Sequence, residues 1–235
     1  MGQEDIIEAL KAAFMRIRDL DAPLNERLAL YTRAVEEHFP AYAGAVEKLV
    51  NRLEAAGSGS MAPAAGEPMP PFLLPSDSGK LVSLDEVLGM GPAAIVFFRG
   101  HWCPYCRMTS RVLADMDERV RAHSGRLVAI TPERQQFARQ QKADAGAGFD
   151  LLCDVGKGYA GSLNLLIWLG AEVQDFLSGL GRDLGTYQGD PSWLVPIPAT
   201  FVVARDGMIT ARHIDPDYRR RMDTDDLVRA IEAAR

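Results

Sequence analysis

The sequence predicts an α/β protein whose central sheet is covered by helices on both faces and preceded by a small helical region. Three observations carry this. Two unbroken apolar runs, AAIVFF at 93–98 and RLVAIT at 126–131, have the composition of strands buried on both sides. Each is followed by a segment that reads as helix. The chain then closes on ATFVVARDGMITARHI, a hairpin turning at Asp206 and Gly207, and on the helical TDDLVRAIEAA.

In order along the chain, Ile6, Ile7, Leu10, Phe14 and Ile17 fall at the three-and-four spacing of an amphipathic helix. A second helix fits 24–39, Pro40 interrupts it, and Tyr42, Val46, Leu49, Val50 and Leu53 continue the pattern. This gives a helical region over 1–56 whose stripes suit packing on the rest of the chain or on a second copy, as in a homodimer. GSGSMAPAAGEPMPP, at 57–71, lacks the apolar content to form a core and reads as a flexible linker, bounded at 57–68. The main domain is expected at 69–235. It opens with two short strands around a turn at 77–79 and a helix capped by Ser83 and Glu86. After RLVAIT come a Gln- and Ala-rich helix, a strand at FDLLCD, and a long mixed segment over 155–196 in which 163–180 reads as helix. Asp223 or Thr224 is placed to cap the last helix.

At 47% hydrophobic and 25% charged residues the composition is that of a globular protein, and no apolar stretch reaches the roughly 18 residues of a membrane span. Neither membrane nor nucleic acid is an expected partner: the net charge is −6, and the one basic cluster, Arg219 to Arg221, reads as solvated surface. The acidic start MGQEDIIEAL lacks the order of a signal peptide, so a cytoplasmic location is expected. In a reducing compartment the three cysteines do not suggest a disulfide scaffold.

RGHWCPYCRM, at 99–108, is where chemistry concentrates. A strand leading into C-P-Y-C and then a helix sets Cys103 at a helix N-terminus, where free N–H groups and the helix dipole favour a thiolate. Cys106, one turn on, is placed to close a disulfide with it. Pro104 suits the first helical position, Trp102 supplies an apolar wall, and Arg99 or His101 adds positive potential. A zinc site would need two further ligands at matching spacing, which Cys153 and the scattered histidines do not supply. No metal or organic cofactor is expected.

The segments AIVFFRGHWCPYCRM, FDLLCDVGKGYAGSLNL and PIPATFVVARDG together resemble the peroxiredoxin-like branch of the alkyl hydroperoxide reductase and thiol-specific antioxidant superfamily. CPYC is also a glutaredoxin signature. The resemblance implies a thioredoxin-like fold over 69–235 and a thiol peroxidase, an antioxidant oxidoreductase that cycles Cys103 and Cys106 between dithiol and disulfide. It implies a hydroperoxide substrate and a thioredoxin-like or low-molecular-weight thiol as reductant. By the same resemblance Pro198 follows Ile197 in a cis peptide and faces the cysteines. Arg99 stands where the family has a proline, Cys103 where it has a threonine, Cys106 at the peroxide-reacting position, and Pro198 near its distant arginine. Two assignments therefore stay open: Cys106 attacks peroxide, or Cys103 attacks a disulfide as in a protein disulfide reductase. A third reading, a non-catalytic interaction module, is disfavoured by the intact CPYC.

Two further motifs stand apart. GKGYAG at 156–161 matches a dinucleotide-binding pattern without the following strand and acid, and reads as turns. Cys153, closing an apolar strand, reads as a buried structural thiol, with a resolving or regulatory role as the alternative. The aromatic residues Trp168, Phe176, Tyr187 and Trp193 mark 155–196 as core packing or as a lid or partner-binding surface near the site.

Overall fold

The computed structural model describes residues 2–234. Three helices come first, α1 (Gln3–Arg18), α2 (Leu24–His38) and α3 (Pro40–Ala55), with Pro40 in the first turn of α3 where its missing N–H leaves no partner wanting. Then follow β1 (Leu73–Pro75), β2 (Leu81–Ser83) and α4 (Leu84–Gly89), the last capped by Ser83 Oγ accepting from the Glu86 N–H at 3.1 Å. The main run is β3 (Ala93–Phe97), α5 (Pro104–Ala122), β4 (Arg126–Thr131), α6 (Gln135–Ala145) and β5 (Asp150–Cys153). The segment before the hairpin holds α7 (Gly158–Ser162), β6 (Leu166–Trp168), α8 (Ala171–Gly179), α9 (Leu184–Gln188) and β7 (Leu194–Pro196). β8 (Ala199–Val203), β9 (Ile209–Ile214) and α10 (Thr224–Ala233) complete the chain.

Five strands form the central sheet in the order β5-β4-β3-β8-β9. β3 runs parallel to β4 and antiparallel to β8, so the sheet is mixed. All five β3 residues are buried, as an unbroken apolar run requires. Alternate residues serve two cores. Ala94, Val96 and Phe98 face α5, α10 and the N-terminal helices, whereas Ala93, Ile95 and Phe97 face Phe72, Val82 and α4. This is the α/β arrangement the sequence predicts.

Three expectations are corrected. The segment at 57–71 is not a free spacer: Gly66 and Met69 donate backbone hydrogen bonds to Ile209 and Gly207, Ile209 donates to Glu67, and Ala62 and Met69 are buried. The open edge of β9 supplies the backbone partners that its composition could not announce. The helix expected over 163–180 is instead β6 and α8, broken at Gly170, whose φ is +87°; β6 pairs with β7 as a separate ribbon. Nor are Arg219 to Arg221 a solvated cluster. Arg221 is 5% exposed, and Arg219 pairs with Asp217 and Glu47; Arg220 alone keeps most of its side chain in solvent.

The N-terminal helices dock through aromatic side chains. Phe14 meets Tyr31, Tyr31 meets Tyr105 of α5, and Tyr105 meets Tyr218, each edge to face with centroids 5.2–6.1 Å apart. Tyr105 Oη also lies 3.0 Å from Thr32 Oγ1. On the other side Phe39 and Tyr42 pack against Phe176 of α8.

Gly91 controls the entry to β3. Its φ is +148°, and a Cβ there would lie 1.9 Å from the Ser124 carbonyl oxygen at the end of α5. Gly91→Ala is expected to destabilise the fold by about 2 kcal/mol or more, read as a lower midpoint in urea unfolding. An unchanged midpoint would show that this turn relaxes without loss.

Candidate active site

Residues 98–103 carry the chain from β3 to α5. Phe98 extends the sheet ladder by donating to Ile130 O at 2.8 Å, and the chain then turns over a buried carboxyl, that of Glu133. Gly100 (φ +136°) permits the turn, since a Cβ there would sit 2.5 Å from Glu133 Oε1. Glu133 Oε2 accepts from the His101 N–H at 2.7 Å, and Cys103 N–H donates back to Gly100 O at 3.1 Å. Cys103 thereby becomes the N-cap residue of α5, extended at φ −92°, with Pro104 in the first turn. No acidic residue occupies that turn, so the positive end of the helix is left to the sulfur.

Cys103 and Cys106 are 1% and 0% exposed. Cys106 Sγ accepts from the Arg99 N–H at 3.3 Å. The Arg99 side chain, 1% exposed, has its guanidinium carbon 3.8 Å from the Tyr218 ring centre and 4.8 Å from that of Trp102, and none of its three side-chain nitrogens finds an acceptor in the protein. Cation–π contact in so dry a place is worth on the order of 2 kcal/mol. It does not replace an anion. Trp102 is fixed by donating Nε1–H to Arg99 O at 3.0 Å.

These contacts separate the two thiols. Burial pushes Cys103 up, but the Cys106 thiol donating to it, the Arg99 guanidinium, the Cys106 amide and Arg221 together bring it down to about 6. Cys106 goes the other way, pushed up by burial, by that hydrogen bond and by the charge on Cys103. Burial would lower Arg99, yet Cys103, Tyr218, Tyr42 and Cys106 hold it above its ordinary value. Burial raises Glu133 to about 8 despite its hydrogen bonds, so near neutrality it carries a proton.

Cys103, Pro104, Arg99 and Trp102 floor a cavity of about 300 Å³. Its walls come from Phe14 of α1, Tyr31 of α2, Phe39 and Tyr42 at the start of α3, Leu177 and Leu180 at the end of α8, and Tyr218. Tyr42 and Tyr218 share a hydrogen bond between their hydroxyls. Cys106 does not line the cavity. The expected lid therefore has two parts, one from 155–196 and one from the N-terminal helices, whose stripes had carried no chemical signal.

The remaining sequence candidates fall elsewhere. His101 bonds Asp144 through Nε2 at 2.8 Å, and burial lowers its pKa, so it adds little positive potential at Cys103. Cys153 is 3% exposed, burial pushes its thiol up to about 12, and it does not line the cavity. Pro198 is buried beyond the Phe97–Ala199 pair, at the same sheet end as the thiols, but it does not line the cavity. No cis peptide occurs among the described residues, so the Ile197–Pro198 bond is trans. The chain there passes directly from β7 to β8 in extended form, with Ile197 N–H donating to Leu165 O at 2.7 Å. In GKGYAG, Asp154 accepts from the Tyr159 and Ala160 N–H groups, so a carboxylate already occupies the place a phosphate would need.

Thiolate titration tests the geometry. In the reduced chain, alkylation or the 240 nm thiolate absorbance should show a midpoint near pH 6. Arg99→Met, similar in length and uncharged, should move that midpoint up toward the ordinary thiol value of about 8.5. A midpoint that stays put in the variant would remove Arg99 from the account.

No curated protein matches the chain in sequence. Among solved structures, the peroxidoxin BcpB of Mycobacterium tuberculosis superposes with a TM-score of 0.56 at 17% identity, over 73% of this chain and 97% of that one. A cysteine-to-serine mutant of peroxiredoxin 6 from Arenicola marina gives 0.57 at 12% identity, over 72% of each chain. The 2-Cys peroxiredoxin of Plasmodium vivax gives 0.55 at 16% identity, over 73% of this chain and 82% of that one. These likenesses show a common fold, the thioredoxin-like fold expected. A family model described as AhpC/TSA matches residues 65–212, which is more than half of the chain and includes the whole CPYC segment. With two thiols held at the end of a core strand and one of them acidic, the chain belongs to the AhpC/TSA family and is a thiol-dependent oxidoreductase of peroxiredoxin type.

Proposed function

We propose that this protein reduces small hydroperoxides at Cys103, resolves the product with Cys106, and is recycled by a low-molecular-weight thiol. The observation that carries the reading is an acidic thiol, 1% exposed, on the floor of a recessed cavity beside an arginine without an acceptor. A peroxide fits such a space; the surface of a folded disulfide substrate does not reach it. The same burial argues for a small thiol over a thioredoxin-like protein as reductant. A cytoplasmic location would supply such thiols.

Cys103 thiolate attacks the outer oxygen of R–O–OH; the O–O bond breaks, the hydroxyl passes to sulfur as a sulfenic acid, and the alkoxide leaves, taking a proton from water to become ROH. Arg99 is the group positioned to hold the peroxide oxygens as negative charge moves from sulfur to the alkoxide, with the buried Arg221 adding its charge from farther along the chain. Cys106 then attacks the Cys103 sulfur, its proton and the sulfenic hydroxyl depart as water, and a Cys103–Cys106 disulfide forms. Two small thiols reduce that disulfide by exchange and leave as their own disulfide. This order of sulfurs reverses the one the family alignment implies. The accessible, acidic sulfur is Cys103.

Serine variants separate the alternatives. Cys103→Ser should lose at least about 10³-fold in kcat/KM for hydrogen peroxide. Cys106→Ser should accumulate a sulfenic acid at residue 103, detected by dimedone labelling. Wild-type protein should turn over hydrogen peroxide or cumene hydroperoxide with glutathione and leave insulin disulfides intact. Efficient insulin reduction without peroxide turnover would make it a protein disulfide reductase instead, and sulfenic acid in Cys103→Ser would return the attacking role to Cys106.

A further inference from the structure

The chain carries a net charge of −6, yet the lining of the cavity above Cys103 contains no carboxylate and four cations, Lys11, Arg99, Arg107 and Arg182. Arg99 belongs to the floor, beside the sulfurs. The other three come from α1, α5 and the loop after α8. Between them and Cys103 the surface is apolar and aromatic, formed by Phe14, Leu177, Leu180 and the tyrosines.

The charges are weakly compensated. Arg182 has no acidic partner among the described residues; Nη1 reaches Tyr187 Oη at 3.5 Å, the long limit of a hydrogen bond. Arg107 lies 4.6 Å over the Phe14 ring, meets Asp144 at 3.4 Å, and has a buried Nε without an acceptor. Its pKa is lowered first by burial and then by the nearby charges of Arg182 and Arg18, although Asp144 acts against this. Lys11 contacts Glu8 at 3.5 Å in an exposed pair. Like charges gathered over an apolar chamber repel one another, and an anion seated among them would relieve that repulsion.

Resting on the peroxidase reading above, we propose that the preferred substrate is an amphipathic anion: a hydroperoxide on an apolar chain whose carboxylate docks between Arg182, Arg107 and Lys11 while the peroxide meets Cys103. Hydrogen peroxide uses the floor of this site only. A carboxylated hydroperoxide uses all of it, and an uncharged alkyl hydroperoxide leaves Arg182 without a counter-ion. Selection by an ion pair at a partly wet mouth is salt-sensitive.

The test compares linoleic acid hydroperoxide with its methyl ester, both below their aggregation limits, in steady-state turnover with glutathione. Wild-type kcat/KM should favour the acid by about tenfold or more at low salt, and the ratio should fall as sodium chloride is raised to 0.5 M. The double variant Lys11→Gln, Arg182→Gln should bring the ratio of acid to ester close to one, and Arg182→Lys, which keeps the charge, should retain most of the preference. Turnover of both lipids at equal kcat/KM by the wild type would overturn the inference and leave the peroxidase reading standing. No turnover of any hydroperoxide, hydrogen peroxide included, would overturn both. A wild-type preference that persists in the double variant would overturn the assignment to these cations.

Discussion

A buried guanidinium beside two thiols sets the terms for the rest of this structure. Arg99 is enclosed by Trp102 on one side and Tyr218 on the other, with none of its side-chain nitrogens satisfied by the protein. Ring faces offer attraction but no full counter-charge, and a lone charge away from water is costly. Among the groups able to become an anion, Cys103 acts on it most strongly. The two therefore stabilise each other's charged forms, and the acidity of one thiol follows from where a single cation is held. The helix dipole contributes in the same direction, but Cys106 shares the helix, and there burial and the neighbouring charge prevail. Position relative to Arg99 and to the cavity, more than membership of the motif, distinguishes the two sulfurs.

The cover over the site explains how a motif shared with disulfide reductases comes to serve another purpose. An exposed CPYC meets the surface of another protein. Here α1, α2, α3 and the end of α8 stand over it, fixed by a run of edge-to-face rings from Phe14 through Tyr31 and Tyr105 to Tyr218. That run ends on the ring that holds Arg99. Packing of the N-terminal helices and placement of the buried Arg99 are thus one interaction network, so the helical region shapes the candidate site as much as the sheet does.

Much of this was legible in the sequence where local rules suffice. Unbroken apolar runs gave β3 and β4, Asp206 and Gly207 marked the hairpin, and a strand followed by Cys-Pro fixed Cys103 as the helix N-cap. What escaped depends on distant contacts. Tyr42 lies some sixty residues before Cys103 in an ordinary amphipathic stripe, and the run containing Arg221 looked like a surface patch because charge composition carries no information about burial. The stretch at 57–71 has linker composition, yet the β9 edge gives its backbone partners. Glu133 follows an apolar strand with no motif around it, and only the turn at Gly100 brings it beneath the CPYC loop. Pro198 shows the opposite error, in which a resemblance supplied a cis peptide that this chain does not have.

In the cycle proposed above, the same electrostatics would give the two sulfurs an order in time. While Cys103 is a thiolate, its charge and the shared hydrogen bond keep the Cys106 proton in place. In that cycle, oxidation of Cys103 to a sulfenic acid would remove that charge and leave Arg221 and Arg99, both of which pull Cys106 down, free to favour its deprotonation. The second thiol becomes reactive once the first has reacted. When the disulfide closes, Arg99 has no thiolate left to face, so the oxidised state carries a cost that the reduced state does not. A pair whose reduced form is selectively stabilised is easily reduced. For a site that only small molecules enter, that bias assists the one step of the cycle that cannot rely on the docking energy of a partner protein.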